Sequence, residues 1–265
     1  MRQLSPWPNE GHHAGDGSGE RVWCDRGERA SRACREMKAI VLAAGRGERL
    51  RPITDTTPKP LVPVAGKPLI VYHLEALARA DIRDVVINLS WLPDKLRSAL
   101  RDGSDYGVRI SYSDEGPVAL ETGGGIFNAI QLLGPGPFLV VNGDTFTDID
   151  FGALKAGADA DTRAGVLARL VFVPNPTQHP RGDFGLEGDR VVERETDRFT
   201  YSGVGVYRPA FFESSKPGKF PLLPLFKRAI AAGRLRGELF KGEWNDVGTP
   251  QRFADLDAKV RAMAS

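Results

Sequence analysis

The chain has 265 residues, 41% hydrophobic and 26% charged, a composition that supports a sizeable core without disulfides or structural metals. Its 36 Lys plus Arg against 34 Asp plus Glu leave a net charge of +2 with no long basic run, which argues against a nucleic-acid partner. No stretch approaches the ~18 apolar residues of a membrane span, and no leader-like apolar run opens the chain, so a cytoplasmic protein with no membrane partner is expected.

Residues 1–36 carry Pro6, Pro8, Gly11, Gly15, Gly17 and Gly19, many charges and no hydrophobic period. They read as a disordered arm or a mis-called N-terminal extension, because Met37 stands directly before the first strand. Cys24 and Cys34 fall here, outside any CxxC pair, and read as spare thiols. From Met37 on, strands and helices alternate. Residues 38–43 (KAIVLA) form a continuous apolar run, as a buried parallel strand requires. Residues 68–80 have helical spacing, 84–89 (DVVINL) is a second buried strand, and 93–101 is a short helix opened by Pro93. A strand over 108–113, a helix over 124–133 and a strand over 138–141 complete a β–α alternation. That order predicts a parallel sheet with helices on both faces and a ligand at the strands' carboxyl ends. Beyond it, strands are expected over 165–173, 184–193 and 201–207, some antiparallel, and helices over 221–232 and 250–264.

The first strand ends in AAGRGERLRP, residues 43–52, and TPKPLVPVAGKP follows at 57–68. Gly45 and Gly47 let backbone amides approach an anion, and Arg46, Arg49, Arg51 and Lys59 add charge. A Walker loop would need Gly-Lys-Ser/Thr, which is absent. A dinucleotide fingerprint would need glycine at position 50, which is Leu50, and a helix at once, which Pro52, Pro58, Pro60 and Pro63 prevent. A tight turn alone does not account for three arginines and a lysine beside one loop. Such cations repel each other unless a polyanion lies between them.

LAAGRGERLRPITDTTPKPLVPVAGKPLI resembles the signature of the sugar-1-phosphate nucleotidyltransferases. The resemblance implies an α/β fold: a single-domain, Rossmann-like three-layer sandwich with a mostly parallel mixed sheet and a smaller sugar-binding subdomain. Residues 37–265 would be the nucleotidyltransferase domain, 37–150 its nucleotide-binding half and 151–265 its sugar-binding, metal-completing half. It implies a nucleotide site on Leu42, Ala43, Ala44, Gly45, Gly47 and Glu48, the last standing where many members carry threonine. Arg49 would grip the triphosphate and Lys59 the reacting phosphates, as the catalytic pair.

Asp144, in Asn142-Gly143-Asp144, ends a buried strand where substrate should sit, and Mg²⁺ needs hard oxygen ligands. Asp246, Asp148 and Asp150 are possible second carboxylates, the last two reading as loop or helix-start residues. The resemblance, through the NGD and Trp244-Asn245-Asp246-Val247-Gly248-Thr249 segments, implies Asp144 and Asp246 as the metal pair. Leu120-Glu121-Thr122-Gly123-Gly124-Gly125 is similar to the family's base-pocket element, with Glu121 replacing a glycine, and implies base contact by Thr122, Gly123 and Glu115. The three glycines could equally just start a helix. Asn142, Asn175, Arg181, Asp183, Gly185 and Gly203 fall where relatives hold the sugar. The E-K-P lysine of many glucose-specific relatives is missing from Val192-Glu193-Arg194-Glu195.

SDEGPVALETGGGIFNAI, PFLVVNGDTFTDIDF and HPRGDFGL are similar to the compact uridylyltransferases of bacterial cell-wall recycling, which implies UTP as donor and a muramic sugar 1-phosphate as acceptor. Arg181 would then meet the lactyl carboxylate. The alternatives are a guanylyl- or cytidylyltransferase acting on mannose 1-phosphate or phosphocholine, and a non-catalytic regulatory subunit. The acceptor phosphate is already anionic near neutral pH, so no general base is expected. The oligomeric state stays open.

Overall fold

The computed structural model describes residues 36–263. The N-terminal arm, with Cys24 and Cys34, lies outside the described residues apart from Glu36.

The first half builds four parallel strands: β1 (Lys38–Leu42), β2 (Asp84–Leu89), β3 (Arg109–Asp114) and β4 (Phe138–Asn142). The second half adds β5 (Thr145–Thr147), β6 (Ala168–Val173), the hairpin β7 (Phe184–Glu187) and β8 (Arg190–Val192), the long β9 (Arg198–Tyr207), β10 (Leu235–Leu239) and β11 (Trp244–Asp246). The main sheet runs β3-β2-β1-β4-β9-β6-β10-β8-β7. It is parallel across β3, β2, β1 and β4. The antiparallel β9 then joins β4 to β6, and β10 returns parallel to β6. The expected strand over 184–193 is thus a tight hairpin, turned at Gly188 (φ +61°), where L side chains are strained.

Helices α1 (Leu69–Arg79), α2 (Pro93–Leu100) and α4 (Phe151–Arg163) cover one face, with α3 (Glu121–Asn128) and α5 (Leu223–Ala231) on the other. Residues of β1 divide accordingly: Ala39 and Val41 join the first core, Ile40 the second, all fully buried. That is the period-two alternation of a strand covered on both sides. Composition hides helix α4, because Gly152, Gly157, Asp159 and Asp161 depress its propensity. Its start signal is Asp150, whose side chain accepts from the amides of Gly152 and Ala153.

A third, smaller cluster matters most for the site. Leu50, Val64, Leu69, Val247 and Leu256 bury one another, joining the loop after β1 to the start of α1 and to α6 (Pro250–Met263). A two-stranded ribbon completes that link. β11 pairs antiparallel with β5, setting Asp246 opposite Thr145, and Val247 N donates to Asp144 O at 3.1 Å.

Candidate active site

Parallel pairing puts the carboxyl ends of four strands at one edge. Leu42 is level with Asn88 on one side and Asn142 on the other, and Asn88 with Ser113 beyond. A cavity of about 640 Å³ opens at this edge. Leu42, Ala43, Ala44, Gly45, Gly47, Glu48, Arg49, Lys59, Glu115, Thr122, Asn142 and Asp144, all expected in the site, line it.

The loop after β1 is shaped by its glycines. Gly47 has φ +64°, and a Cβ there would press to 2.9 Å from Thr54 Cγ2. Thr54 Oγ1 and Leu50 N both donate to the Gly47 carbonyl at 2.8 Å, turning the chain back. Gly45 faces open space: a Cβ at this position would meet no atom within 4 Å. Arg46 stacks over Trp91, 5.1 Å from the ring centroid, while Trp91 Nε1 donates to Thr54 O at 3.0 Å. Arg49 is exposed and makes no hydrogen bond or ion pair with a described residue.

Lys59 is buried, and its Nζ donates to Asp144 Oδ2 at 2.6 Å. Asp144 follows Gly143, whose amide donates to Leu42 O at 2.9 Å; a Cβ at Gly143 would lie 2.7 Å from that oxygen. The approach of β4 to β1 therefore requires glycine. On Asp246, Oδ1 accepts from Gln178 Nε2 at 2.9 Å and from Arg252 Nη1. Asp144 Oδ1 and Asp246 Oδ2 receive no hydrogen bond from any described residue. Asp144 lines the cavity and Asp246, on the strand paired beside it, is not among the lining residues; each has one oxygen held and one open, and the two could supply hard oxygen donors to a divalent cation that also takes substrate phosphate oxygens. Asp150 and Asp148 are spent elsewhere, Asp150 as the α4 cap and Asp148 accepting from Glu243 N at 2.7 Å.

Sequence reading did not single out Asn88, His73, Gln178, Gly248 or Arg252. Asn88 is buried and joins three segments. Its Oδ1 accepts from Ala43 N and its Nδ2 donates to Glu115 Oε1, both at 2.6 Å. Glu115 Oε2 accepts from Leu120 N at 2.7 Å. Both Glu115 oxygens are thus engaged by protein, and burial raises its pKa above the ordinary carboxylate value, opposed by these hydrogen bonds. His73 is buried on α1, and Nε2 donates to Thr145 O at 2.7 Å, beside Asp144. Burial lowers its pKa to about 4, so the ring is neutral at neutral pH. An apolar spacing at 73 hid this polar contact.

Other expected residues sit apart from the cavity. Gly123 packs on the Phe220 ring, and Gly124 N donates to Phe220 O at 3.0 Å. The glycine run thereby lets the 216–221 segment lie against the start of α3, while Gly125 leaves room for Glu115 and Asn88. Asn175 Nδ2 donates to the carbonyls of Pro180 and Arg198, and its Oδ1 accepts from Thr200 Oγ1. Asp183 accepts from Tyr201 N and contacts His179. Gly185 is covered by Arg194, and Gly203 (φ +82°) leaves space for the Asn142 amide. Arg181 is exposed and has no hydrogen bond or ion pair to a described residue.

A parallel-edge cavity lined by a glycine-arginine loop, Lys59 and Asp144 suits a nucleotide-handling transferase. The chain belongs to the nucleotidyl transferase family, whose model matches residues 38–191. It is 48% identical over 230 residues to the N-acetylmuramate alpha-1-phosphate uridylyltransferase of Neisseria meningitidis, covering 85% of this chain and 99% of that one. It is 38% identical over 233 residues to the enzyme of the same name from Caulobacter vibrioides, covering 84% and 96%. In fold it is similar to a solved Bacillus anthracis structure assigned to glucose-1-phosphate thymidylyltransferase, with TM-score 0.75, 23% identity and coverage of 85% and 95%.

Proposed function

We propose that this chain transfers UMP from UTP to N-acetylmuramate 1-phosphate, releasing pyrophosphate, with Mg²⁺ as cofactor, in cytoplasmic peptidoglycan recycling. The observation that carries the reading is the convergence of Arg49, Lys59 and Asp144 on one cavity, with Asp246 held beside Asp144 by the β5–β11 ribbon. The similarity to the two uridylyltransferases along nearly their whole length supports the choice of donor and acceptor. No helix among the described residues is long and apolar enough to cross a membrane.

The triphosphate lies along the 42–49 backbone, where Gly45 admits it and Arg49, unpaired among the described residues, takes its charge. Mg²⁺, when bound by Asp144 and Asp246, neutralises phosphate charge. Lys59, fixed by Asp144, directs its ammonium at the reacting phosphates and stabilises charge on the in-line transition state. The acceptor phosphate supplies its own nucleophilic oxygen, so catalysis is positioning plus electrostatics. Residues 37–150 serve the nucleotide and 151–265 the sugar and the second carboxylate. Arg181, on the sugar side, answers the lactyl carboxylate.

A pyrophosphate-release screen of four triphosphates against N-acetylmuramate, N-acetylglucosamine, glucose and mannose 1-phosphates, with and without Mg²⁺, tests this. UTP with N-acetylmuramate 1-phosphate should give the highest kcat/KM, with no turnover in EDTA. A preference for GTP with mannose 1-phosphate would replace the reading.

A further inference from the structure

Asp246 is held by two side chains that do not themselves line the cavity. Gln178 reaches its Oδ1 from the loop after β6, and Arg252 reaches the same oxygen from the first turn of α6. Arg252 is built in. Its side chain is only 19% exposed, its Nε donates to Thr249 Oγ1 at 3.3 Å, and any Cβ on Gly248 would collide with its guanidinium. Asp246, Gly248, Thr249 and Arg252 therefore form one closed clamp: a carboxylate, the space for a cation, a hydroxyl that anchors it, and the cation. An ion pair at the surface needs neither the glycine nor the hydroxyl.

We propose that Arg252, assisted by Gln178, is a positioning residue for the divalent-cation site: it ties up Oδ1 of Asp246 and leaves Oδ2 facing the metal. This rests on the reading of Asp144 and Asp246 as the metal pair. A carboxylate with both oxygens untied rotates about its terminal bond and loses torsional freedom when it binds. Fixing one oxygen fixes the direction of the other, as outer partners of ligating carboxylates do, and loss of such partners typically lowers metal affinity 10–100-fold. The guanidinium charge acts in the opposite sense, because a cation beside the site repels the metal. If Arg252 were only a counter-charge, removing it would tighten metal binding. The sign of the change separates the two roles. Gln178 carries no charge, so its removal reports orientation alone.

The test is Mn²⁺ titration of the nucleotide-free full chain, read by electron paramagnetic resonance of free Mn²⁺, on wild type, Arg252→Ala, Arg252→Lys, Gln178→Ala and Asp246→Asn. Arg252→Ala should raise the Kd 10–100-fold and Gln178→Ala several-fold, with Arg252→Lys recovering part of the loss. In turnover, Arg252→Ala should raise the Mg²⁺ concentration for half-maximal rate by a similar factor and leave kcat at saturating Mg²⁺ within a few-fold. Wild-type or tighter Mn²⁺ affinity in Arg252→Ala, with binding lost in Asp246→Asn, overturns the positioning role alone. Unchanged affinity in Asp246→Asn overturns the metal pair itself. Urea unfolding accompanies each variant. Should Arg252→Ala not fold, Arg252→Lys and Gln178→Ala decide the matter by the same comparison.

Discussion

Lys59 and Asp144 meet at 2.6 Å with unequal exposure: the lysine side chain is 8% exposed and the aspartate 43%. The lysine is thus delivered to the cavity through the protein interior, its aliphatic stem packed and its ammonium held by the carboxylate. Lys59→Ala should lower kcat by about 10²–10³-fold, the usual loss on removing a positioned transition-state donor. Asp144 stays partly hydrated, so the melting temperature should fall by only a few degrees. Steady-state kinetics with differential scanning fluorimetry would check both. Near-normal turnover would remove Lys59 from the mechanism.

Asn88 offers a sharper structural test. Asn88→Ala leaves the buried Ala43 N and the half-buried Glu115 Oε1 without their partner, and the buried unsatisfied amide alone costs about 1–3 kcal/mol. Urea unfolding should show that loss together with a raised KM for UTP. Asn88→Asp sets two carboxylates together, so the Glu115 pKa should rise further. A raised carboxylate pKa contributes stability that is present at low pH and lost as pH climbs through it. Asn88→Asp should therefore be closest to wild type near pH 5 and weakest near pH 8.

His73 predicts the opposite slope. Its folded pKa is lowered from 6.5 to about 4, so the unfolded chain binds a proton that the folded one refuses. Its stabilising contribution is complete above pH 6.5 and falls away as pH drops towards 4. Between pH 7 and 5 the loss from this one group is about 2 kcal/mol. His73→Gln should flatten that part of the urea-derived stability profile.

The two loop glycines should behave differently. Gly45→Ala meets no atom within 4 Å, so it should fold like wild type and raise KM for UTP. Gly47→Ala places a Cβ at φ +64° against Thr54 and should lose about 1–2 kcal/mol of stability. Equal unfolding midpoints for the two would contradict the loop geometry.

Arg181→Ala should reduce kcat/KM for N-acetylmuramate 1-phosphate by at least tenfold more than for N-acetylglucosamine 1-phosphate, since only the former has a carboxylate and a charged hydrogen bond contributes about 1.5–3 kcal/mol. Equal losses on both sugars would leave the lactyl group to another residue.

Residues 38–70 are legible in the sequence because every cue there is local: an apolar run, glycines at the turn, and prolines that forbid a helix. The pairing that sets Asp246 opposite Thr145, next to Asp144, is not legible from spacing, because it depends on a ribbon of three residues per strand between distant segments. Residues 165–207 show strands whose order cannot be read, since β9 inserts between β4 and β6. Asn88 looks like an ordinary strand residue, and its role appears only when Ala43 and Glu115 are brought to either side. The 123–125 glycines have a packing use that spacing does not reveal: Gly123 and Gly124 accommodate the 216–221 segment.

The small cluster of Leu50, Val64, Leu69, Val247 and Leu256 has a consequence for synthesis. The loop proposed to receive the triphosphate is made early, but it is clamped by residues made some two hundred positions later, which also carry the proposed second carboxylate. On the ribosome, the chain would own a nucleotide cradle well before it could use one. Pyrophosphate chemistry would switch on only as α6 leaves the exit tunnel and closes against Leu50.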